Sequence, residues 1–188
     1  MKKLNYLLML ILMLGGCSYK NNPIALEPYK ADYAGKNVQN KTTVFLSEVK
    51  DMRKDQRSIG YVLEDSKKTV TLYSEDNFKQ KYKNGLGYAL NIAGFNTNIS
   101  KNDASIIVEV FIKDITLVYT NETFDENLKG QIVVQVVVKE GQKVLTFNFK
   151  QKSSKWITPS YNSKDIAPFL HELFTDSIND VVSKLATL

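Results

Sequence analysis

The sequence predicts an α+β fold in which an antiparallel or mixed sheet of five to six strands carries two helices on one face. Three observations support this prediction. Runs rich in β-branched residues occupy much of the chain, one central segment has apolar residues at helical spacing, and a broad apolar helical stripe closes the sequence. The order of elements is β-β-β-α-β-β-β-α, which predicts a single domain over residues 42–188.

The first three predicted elements are short strands. Thr42–Lys50 is rich in β-branched and apolar residues and predicts the first strand. A charged turn over Asp51–Ser58 follows. Ile59–Leu63 and Thr69–Tyr73, separated by Glu64–Lys68, then predict a β-hairpin.

A first helix is predicted over Glu75–Ala93. Ser74 suits the N-cap and Gly94 suits the C-terminal stop. Gly85 and Gly87 each weaken a helix by up to about 1 kcal/mol relative to alanine. We expect them to allow close packing against the sheet. The residues expected to face the core are Phe78, Tyr82, Leu86, Ala89, Leu90 and Ala93.

Three strands are predicted in the second half of the chain. Ser105–Thr120 is too long for a typical strand, so we expect a bend or bulge near Lys113. Gln131–Glu140 has the clearest strand pattern, and Gly141 provides a tight turn into Val144–Gln151.

The last helix is predicted from Asp165 to Leu185. Asp165 suits the N-cap, which would place Pro168 in the first turn, where its missing N–H costs nothing. A broad apolar stripe should pack this helix on the sheet. The stripe consists of Ile166, Phe169, Leu170, Leu173, Phe174, Ile178, Val181, Val182 and Leu185.

The N-terminus has the features of an export signal. Lys2 and Lys3 precede the unbroken apolar run Leu7–Leu14, which has the length of a signal-peptide h-region. A helix that spans a bilayer needs about 20 apolar residues, so this run is too short. We therefore expect residues 1–16 to be a cleaved signal peptide. The alternatives are an uncleaved anchor or an ordinary secretory signal with a chance cysteine.

The only cysteine of the chain follows this run. Leu14, Gly15, Gly16 and Cys17 resemble the lipobox of bacterial lipoproteins. The resemblance implies a diacylglyceryl thioether on Cys17, cleavage before it, and acylation of the new amino group. Two or more acyl chains hold a protein stably at a membrane. Ser18 is not the aspartate that often retains lipoproteins in the inner membrane, so the resemblance implies the periplasmic face of the outer membrane.

Residues 17–41 are predicted to be the lipidated N-terminus and a flexible tether. They contain Pro23, Pro28 and several asparagines, and they show no sustained helical or strand periodicity. A flexible chain over residues 18–41 would have an r.m.s. reach of about 27 Å. The folded domain could then stand away from the lipid surface.

The charge of the chain is modest. The formal net charge is +5, and removal of Lys2 and Lys3 with the signal peptide leaves 5 − 2, or +3. Such a small excess in an exported protein does not indicate nucleic-acid binding. Two alternatives stay open for the lysines: they bind anionic envelope polymers or lipid headgroups, or they form an ordinary solvated surface.

The residue types argue against nucleophilic and zinc chemistry. Triads and zinc sites need imidazoles or thiolates close together, whereas this chain has one histidine and a single, lipidated cysteine. His171 and Glu172 begin like H-E-x-x-H, but Thr175 occupies the place of the second histidine. We therefore expect His171 at a surface or boundary position, and we predict no metal and no cofactor.

Carboxylates could still support a small envelope hydrolase acting on cell-wall or glycan substrates. Glu109 and Asp114 lie on the long strand, and Asp125 and Glu126 lie in the loop after it. Because side chains alternate along a strand, Glu109 and Asp114 should point to opposite faces unless a bulge intervenes. They form a poor acid–base pair, so we predict no catalytic residue.

The segment Val44–Val62, followed by a helix, three strands and a final helix, is similar to the YajG-like lipoproteins of Gram-negative envelopes. The shared positions are Asp51, Arg53, Ile59, Gly60, Gly94 and Phe95. The resemblance covers residues 42–188 and the lipobox. It implies localisation and fold rather than an activity, because the family has no established biochemical activity.

Two functional hypotheses follow. The first is a non-enzymatic accessory or binding lipoprotein with an envelope protein or a glycolipid as partner, for which a helper resembling the lipoprotein partner of the lipopolysaccharide-export barrel is one form. The second is the carboxylate hydrolase. Asp51 and Arg53 are candidate partner contacts, or they close a turn. Phe124, in the loop Asn121–Gly130, is a third candidate contact, unless it folds back onto the sheet.

Overall fold

Within the described residues of the computed structural model, which are 22–30, 32–38, 42–122, 125–159 and 162–188, six strands and two helices follow in the predicted order. The strands are β1 (Val44–Asp51), β2 (Ser58–Glu64), β3 (Lys67–Tyr73), β4 (Ile106–Thr120), β5 (Leu128–Glu140) and β6 (Lys143–Lys155). The helices are α1 (Phe78–Ile92) and α2 (Ser163–Leu185). The predicted α+β class is confirmed.

The strands form one mixed sheet centred on β4. Its order is β3-β2-β4-β5-β6, and β1 pairs with β4 on the same edge as β2. One edge of β4 pairs with β5 in antiparallel orientation. The other edge pairs in parallel, first with β1 along Ile106–Ile112 and then with β2 along Leu117–Thr120. The turn between β1 and β2 therefore lies over the middle of β4.

The bulge predicted near Lys113 is present in β4. The pairing with β5 shifts register between Ile112 and Asp114. One extra residue reverses the alternation of side chains. As a result, Ile112 and Ile115, three residues apart, are both buried.

Both helices cover one face of the sheet and enclose the core. Tyr82 of α1 and Phe174 of α2 meet edge to face, with ring centroids 5.3 Å apart. The Tyr82 hydroxyl lies 3.0 Å from Oγ of Ser177, which satisfies both buried polar groups. No helix in the described part of the chain is long and apolar enough to cross a membrane.

Both helices begin at residues other than those predicted. Helix α1 is capped by Asn77, whose side chain accepts from the Gln80 N–H at 3.1 Å, and not by Ser74. Helix α2 is capped by Asn162, which forms a capping box with Asp165. Since α2 begins at Ser163, Pro168 lies in its second turn rather than its first.

The glycines of α1 also differ in role from the prediction. A Cβ atom at Gly85 would lie 2.7 Å from Cδ1 of Ile178 and 2.8 Å from Cβ of Tyr29, so Gly85 admits α2 and the N-terminal segment rather than the sheet. A Cβ atom at Gly87 would meet no heavy atom within 4 Å.

The segment predicted to be a flexible tether is packed on the domain wherever it is described. We call residues 22–30 and 32–38 the strap. Ile24 and Leu26 are each 1% exposed and belong to the core. The Ile24 N–H donates to the Tyr73 carbonyl at 2.8 Å, and the Val38 N–H donates to the Ala93 carbonyl at 2.8 Å. This corrects the prediction of a flexible tether for residues 22–30 and 32–38: contacts with distant parts of the chain hold an extended segment that no single period covers.

Candidate functional site

The predicted lipid-attachment residues Leu14, Gly15, Gly16 and Cys17 lie outside the described residues, and so does Phe124. Their roles stay predictions. The structure does describe Asp51 and Arg53, the predicted carboxylates, and the face of the sheet that the helices leave uncovered.

Asp51 and Arg53 form a buried ion pair at the end of β1. Nη2 of Arg53 lies 2.6 Å from Oδ2 of Asp51, and Nε lies 2.9 Å from Oδ1, so the contact is bidentate. The side chains are 5% exposed for Arg53 and 4% for Asp51. The backbone N–H of Arg53 also donates to Oδ1 of Asp51 at 3.2 Å.

The other donors of Arg53 are directed inward as well. Nη1 donates to the Ser58 carbonyl at 3.0 Å, and Nη2 donates to the Gln56 carbonyl at 2.8 Å. The guanidinium carbon lies 4.9 Å from the centroid of the Phe78 ring at the start of α1. Of the two alternatives for Asp51 and Arg53, this geometry favours the turn between β1 and β2, because the two side chains are almost fully buried.

The face of the sheet opposite the helices, which we call the open sheet face, consists of half-buried and exposed side chains. Its centre is formed by Phe111, Gln135 and Asn148, which are paired across β4, β5 and β6. The charged residues that its strands contribute, among those described, are Lys50, Lys68, Lys113, Lys129, Lys139, Lys150 and Lys152 against Glu48, Glu109 and Asp114. The face is therefore positively charged.

Glu109 and Asp114 share the open sheet face, because the bulge at Lys113 intervenes between them. Four residue steps of strand still separate them by about 13 Å. Glu109 pairs with Lys139 at 2.9 Å. Asp114 accepts from Thr116 Oγ1 at 2.8 Å and from Gln131 Nε2 at 2.5 Å. Both carboxylates are thus engaged by neighbours on the sheet.

Two shallow concavities meet at Thr116 on the open sheet face. One has a volume of about 540 Å³ and extends over Lys129, Gln131 and Lys152. The other has a volume of about 300 Å³ and extends to the turn between β1 and β2. We call the two together the basic groove, after its lysines. These are Lys54, Lys68, Lys113, Lys129 and Lys152.

The groove also has aromatic and acidic neighbours. Nζ of Lys68 lies 4.0 Å from the centroid of Tyr61, and Nζ of Lys113 lies 5.3 Å from that of Phe111. Both lysines therefore stand over aromatic rings. Asp55, which lines the groove with Asp114, accepts from two backbone N–H groups, at 3.0 and 3.1 Å.

His171 is half-buried on α2, as predicted for a boundary residue. Its Nδ1 atom and Oγ1 of Thr175 are buried and have no hydrogen-bond partner among the described residues. The same part of the chain contains no group of three or more histidine, cysteine or acidic side chains that could hold a metal ion.

The loop between β4 and β5 is fixed at its base by a residue that the sequence did not single out. Asn127 is fully buried; its Nδ2 donates to the Ile157 carbonyl at 2.8 Å and its Oδ1 accepts from the Ile157 N–H at 2.8 Å. The Thr120 N–H donates to the Asn127 carbonyl at 2.8 Å. These bonds attach the loop to the chain after β6. A lone asparagine in a polar loop gives no pattern that could have predicted them.

The fold and the open sheet face define a small α+β domain with two helices on one side of a mixed sheet and an uncovered, basic face on the other. The chain belongs to the family of uncharacterized lipoproteins, the YajG family, whose model matches residues 30–184. The match begins at Lys30, within the strap.

Comparison with solved structures shows the same fold. A protein from Xanthomonas campestris of family DUF330 has a TM-score of 0.61 and 9% identity, over 88% of this chain and 94% of that one. A structure described as an uncharacterized protein has a TM-score of 0.53 and 8% identity, over 86% and 99%. Comparison with curated proteins gives no match.

Proposed function

We propose that this chain is a lipid-anchored, non-enzymatic lipoprotein at the periplasmic face of the outer membrane, where it binds an envelope component through the open sheet face. The observation that carries the proposal is that a whole face of the sheet is left uncovered by the helices, and the strands contribute seven lysines to it against three acidic residues. The family of uncharacterized lipoproteins supports the anchor.

The engagement of the carboxylates favours binding over the alternative of a small hydrolase. Glu109 pairs with Lys139, and Asp114 accepts two side-chain hydrogen bonds. In the loop, Asp125 accepts from the Glu126 N–H at 2.8 Å, and Glu126 accepts from the Ser154 hydroxyl. A hydrolase would need two carboxyl groups facing one scissile bond. Loss of function in a stably folded alanine variant at one of these four positions would favour the hydrolase.

The binding part of the proposal is tested by photo-crosslinking in living cells. A photo-reactive amino acid replaces Gln135 at the centre of the open sheet face, and Lys79 on the exposed side of α1 is the matched control. We expect a discrete adduct from Gln135 and none from Lys79. Adducts from Lys79 alone would move the binding surface to the helices. A third probe at Phe124 tests whether the loop before β5 takes part.

The anchor is tested separately by metabolic labelling with palmitate. Cys17→Ser removes the only thiol of the chain, so we expect the variant to lose the label and to accumulate as an unprocessed precursor. Label that persists in this variant would contradict acylation at Cys17. Fractionation of inner and outer membranes from the wild type then tests the proposed location.

A further inference from the structure

The packing of the strap limits how far the domain can move from its proposed anchor. Asn22 is the first residue that the structure describes, and it is five residues after Cys17. A chain of five residues spans at most about 18 Å when fully extended. If Cys17 is acylated, as the proposed function holds, the start of the strap lies within that distance of the membrane attachment point.

The strap begins at the same level of the sheet as the basic groove. The Ile24 N–H binds the carbonyl of Tyr73, which is paired with Ser58 across β3 and β2. In β2, Ser58 lies two residues before Gly60, whose partner on β4 is Leu117. Thr116, at the centre of the groove, therefore lies on nearly the same transverse row of the sheet as Tyr73, the residue that binds the start of the strap.

That row continues across the groove to the far edge. Thr116 is paired with Gln131, and Gln131 is paired with Lys152 on β6. Neighbouring strands are about 4.8 Å apart, so the five strands from β3 to β6 place Lys152 roughly 19 Å from the strap's attachment. Both ends of the groove are thus close enough to the start of the strap to contact a membrane that holds the strap through Cys17.

The groove has positive charge that the domain itself does not neutralise. None of its five lysines forms an ion pair with another described residue. The two carboxylates that line it, Asp55 and Asp114, already accept hydrogen bonds from neighbours, and Glu126 at its edge accepts from Ser154.

We propose that the basic groove binds the headgroups of anionic phospholipids in the membrane that anchors the chain, so that the open sheet face lies toward that membrane. This inference rests on the proposed function and names the envelope component that the open sheet face binds. Phospholipid phosphates are the anions within reach of the strap, and each lysine near an anionic surface strengthens binding about fivefold. The attraction falls off within a Debye length, about 8 Å at physiological ionic strength.

The test uses the full-length chain, acylated in cells, purified in detergent and reconstituted into vesicles. The vesicles consist of phosphatidylcholine with or without phosphatidylglycerol and contain a quencher attached to a headgroup. The Cys17 thiol is consumed by the anchor, so Ser154→Cys gives a single site for a fluorophore at the edge of the groove. Lys79→Cys gives the corresponding site on the helical side.

We expect the fluorophore at position 154 to be quenched more than that at position 79, only with phosphatidylglycerol, and to recover in 1 M salt, where the Debye length is about 3 Å. Lys129→Gln combined with Lys152→Gln should lower the ratio of surface-bound to free orientations about 25-fold. The matched pair Lys79→Gln with Lys83→Gln, which removes the same charge from α1, should retain the quenching.

Quenching that is equal in phosphatidylcholine, or unchanged by the groove variants, would overturn the proposal. Quenching with vesicles that contain lipopolysaccharide but not with phosphatidylglycerol would overturn the choice of occupant. An intact-mass measurement on each preparation separates the two levels. An unacylated Cys17 refutes the anchor and with it the short distance between the strap and the membrane. An acylated chain that does not respond to phosphatidylglycerol refutes only the lipid-binding groove.

Discussion

The hydroxyl of Tyr29 donates a hydrogen bond of 2.6 Å to Oδ1 of Asn179, 150 residues further along the chain. Nδ2 of Asn179 in turn donates to the carbonyl of Asp32 at 3.4 Å. One asparagine on α2 thus binds the strap at two points. The strap is held by the last helix as well as by α1 and β3, which makes it part of the folded domain rather than a linker.

Ile24→Ala should destabilise the domain by about 2–5 kcal/mol, because this side chain is 1% exposed and its removal leaves a cavity in the core. Urea denaturation followed by circular dichroism measures the change. Glu27→Ala is the matched control, since Glu27 makes only an exposed pair with Lys30, and it should change stability by less than about 0.5 kcal/mol. Equal stability of both variants would mean that the strap is not part of the cooperative unit.

Arg53→Ala should cost about 3–5 kcal/mol, because it leaves the buried charge of Asp51 without a partner. The comparison is Arg57→Ala, four residues later, which breaks an exposed pair with Glu75 and a 5.8 Å contact with the Tyr73 ring, and should cost less than about 1 kcal/mol. The midpoints of urea unfolding give both values. A cost for Arg53→Ala no larger than that for Arg57→Ala would contradict the structural role of the buried pair.

The two glycines of α1 should respond to alanine with opposite signs. Gly85→Ala places a methyl group against Ile178 and Tyr29 and should cost about 1–3 kcal/mol. Gly87→Ala meets open space and should stabilise the helix by about 0.5–1 kcal/mol. Thermal unfolding of the two variants distinguishes them, and a stabilising Gly85→Ala would show that the strap and α2 do not pack there.

Burial raises the pKa of the Asp176 carboxyl on α2, and the nearby carboxylates of Glu172, Asp180 and Asp32 raise it further. A raised pKa means that stability is fully present below the ordinary value of 3.8 and is lost as the pH rises through the folded-state value. Asp176→Asn removes this loss and keeps an acceptor for Gln151.

Asp176→Asn should therefore raise the melting temperature at pH 7 by about 1–2 °C, a small effect because the group is partly exposed. The gain should shrink as the pH falls toward 4. Asp65→Asn removes the same charge at an exposed turn and is the control. A gain that does not depend on pH would rule out the titration of Asp176 as its cause.

The regular elements could be predicted because their periodicity is local. The alternation of β5, the stripe of α2 and the excessive length of β4 all follow from residues close in sequence, and the bulge at Lys113 follows from that length. The first residues of the helices could not be predicted to the residue. Ser74 and Asn77, or Asn162 and Asp165, are equally good caps by type, and tertiary contacts decide between them.

The strap and the groove could not be predicted, because both depend on contacts between distant parts of the chain. Ile24, Leu26, Tyr29 and Tyr33 are separated by intervals of two, three and four residues. The first interval fits a strand and the other two fit a helix, so no single period covers the segment. The lysines of the groove come from four strands and a turn, and only the register of the sheet brings them together. The buried state of Asp51 and Arg53 likewise depends on Phe78, which α1 places above them.

The most direct test of the account is neutron reflectometry on the acylated chain bound to a supported bilayer that contains phosphatidylglycerol. A five-residue connection of at most about 18 Å and a basic groove against the headgroups predict a protein layer in contact with the bilayer, with no solvent gap between them. A hydrated gap of about 27 Å, the reach of a flexible tether over residues 18–41, would contradict both the packed strap and the orientation of the open sheet face.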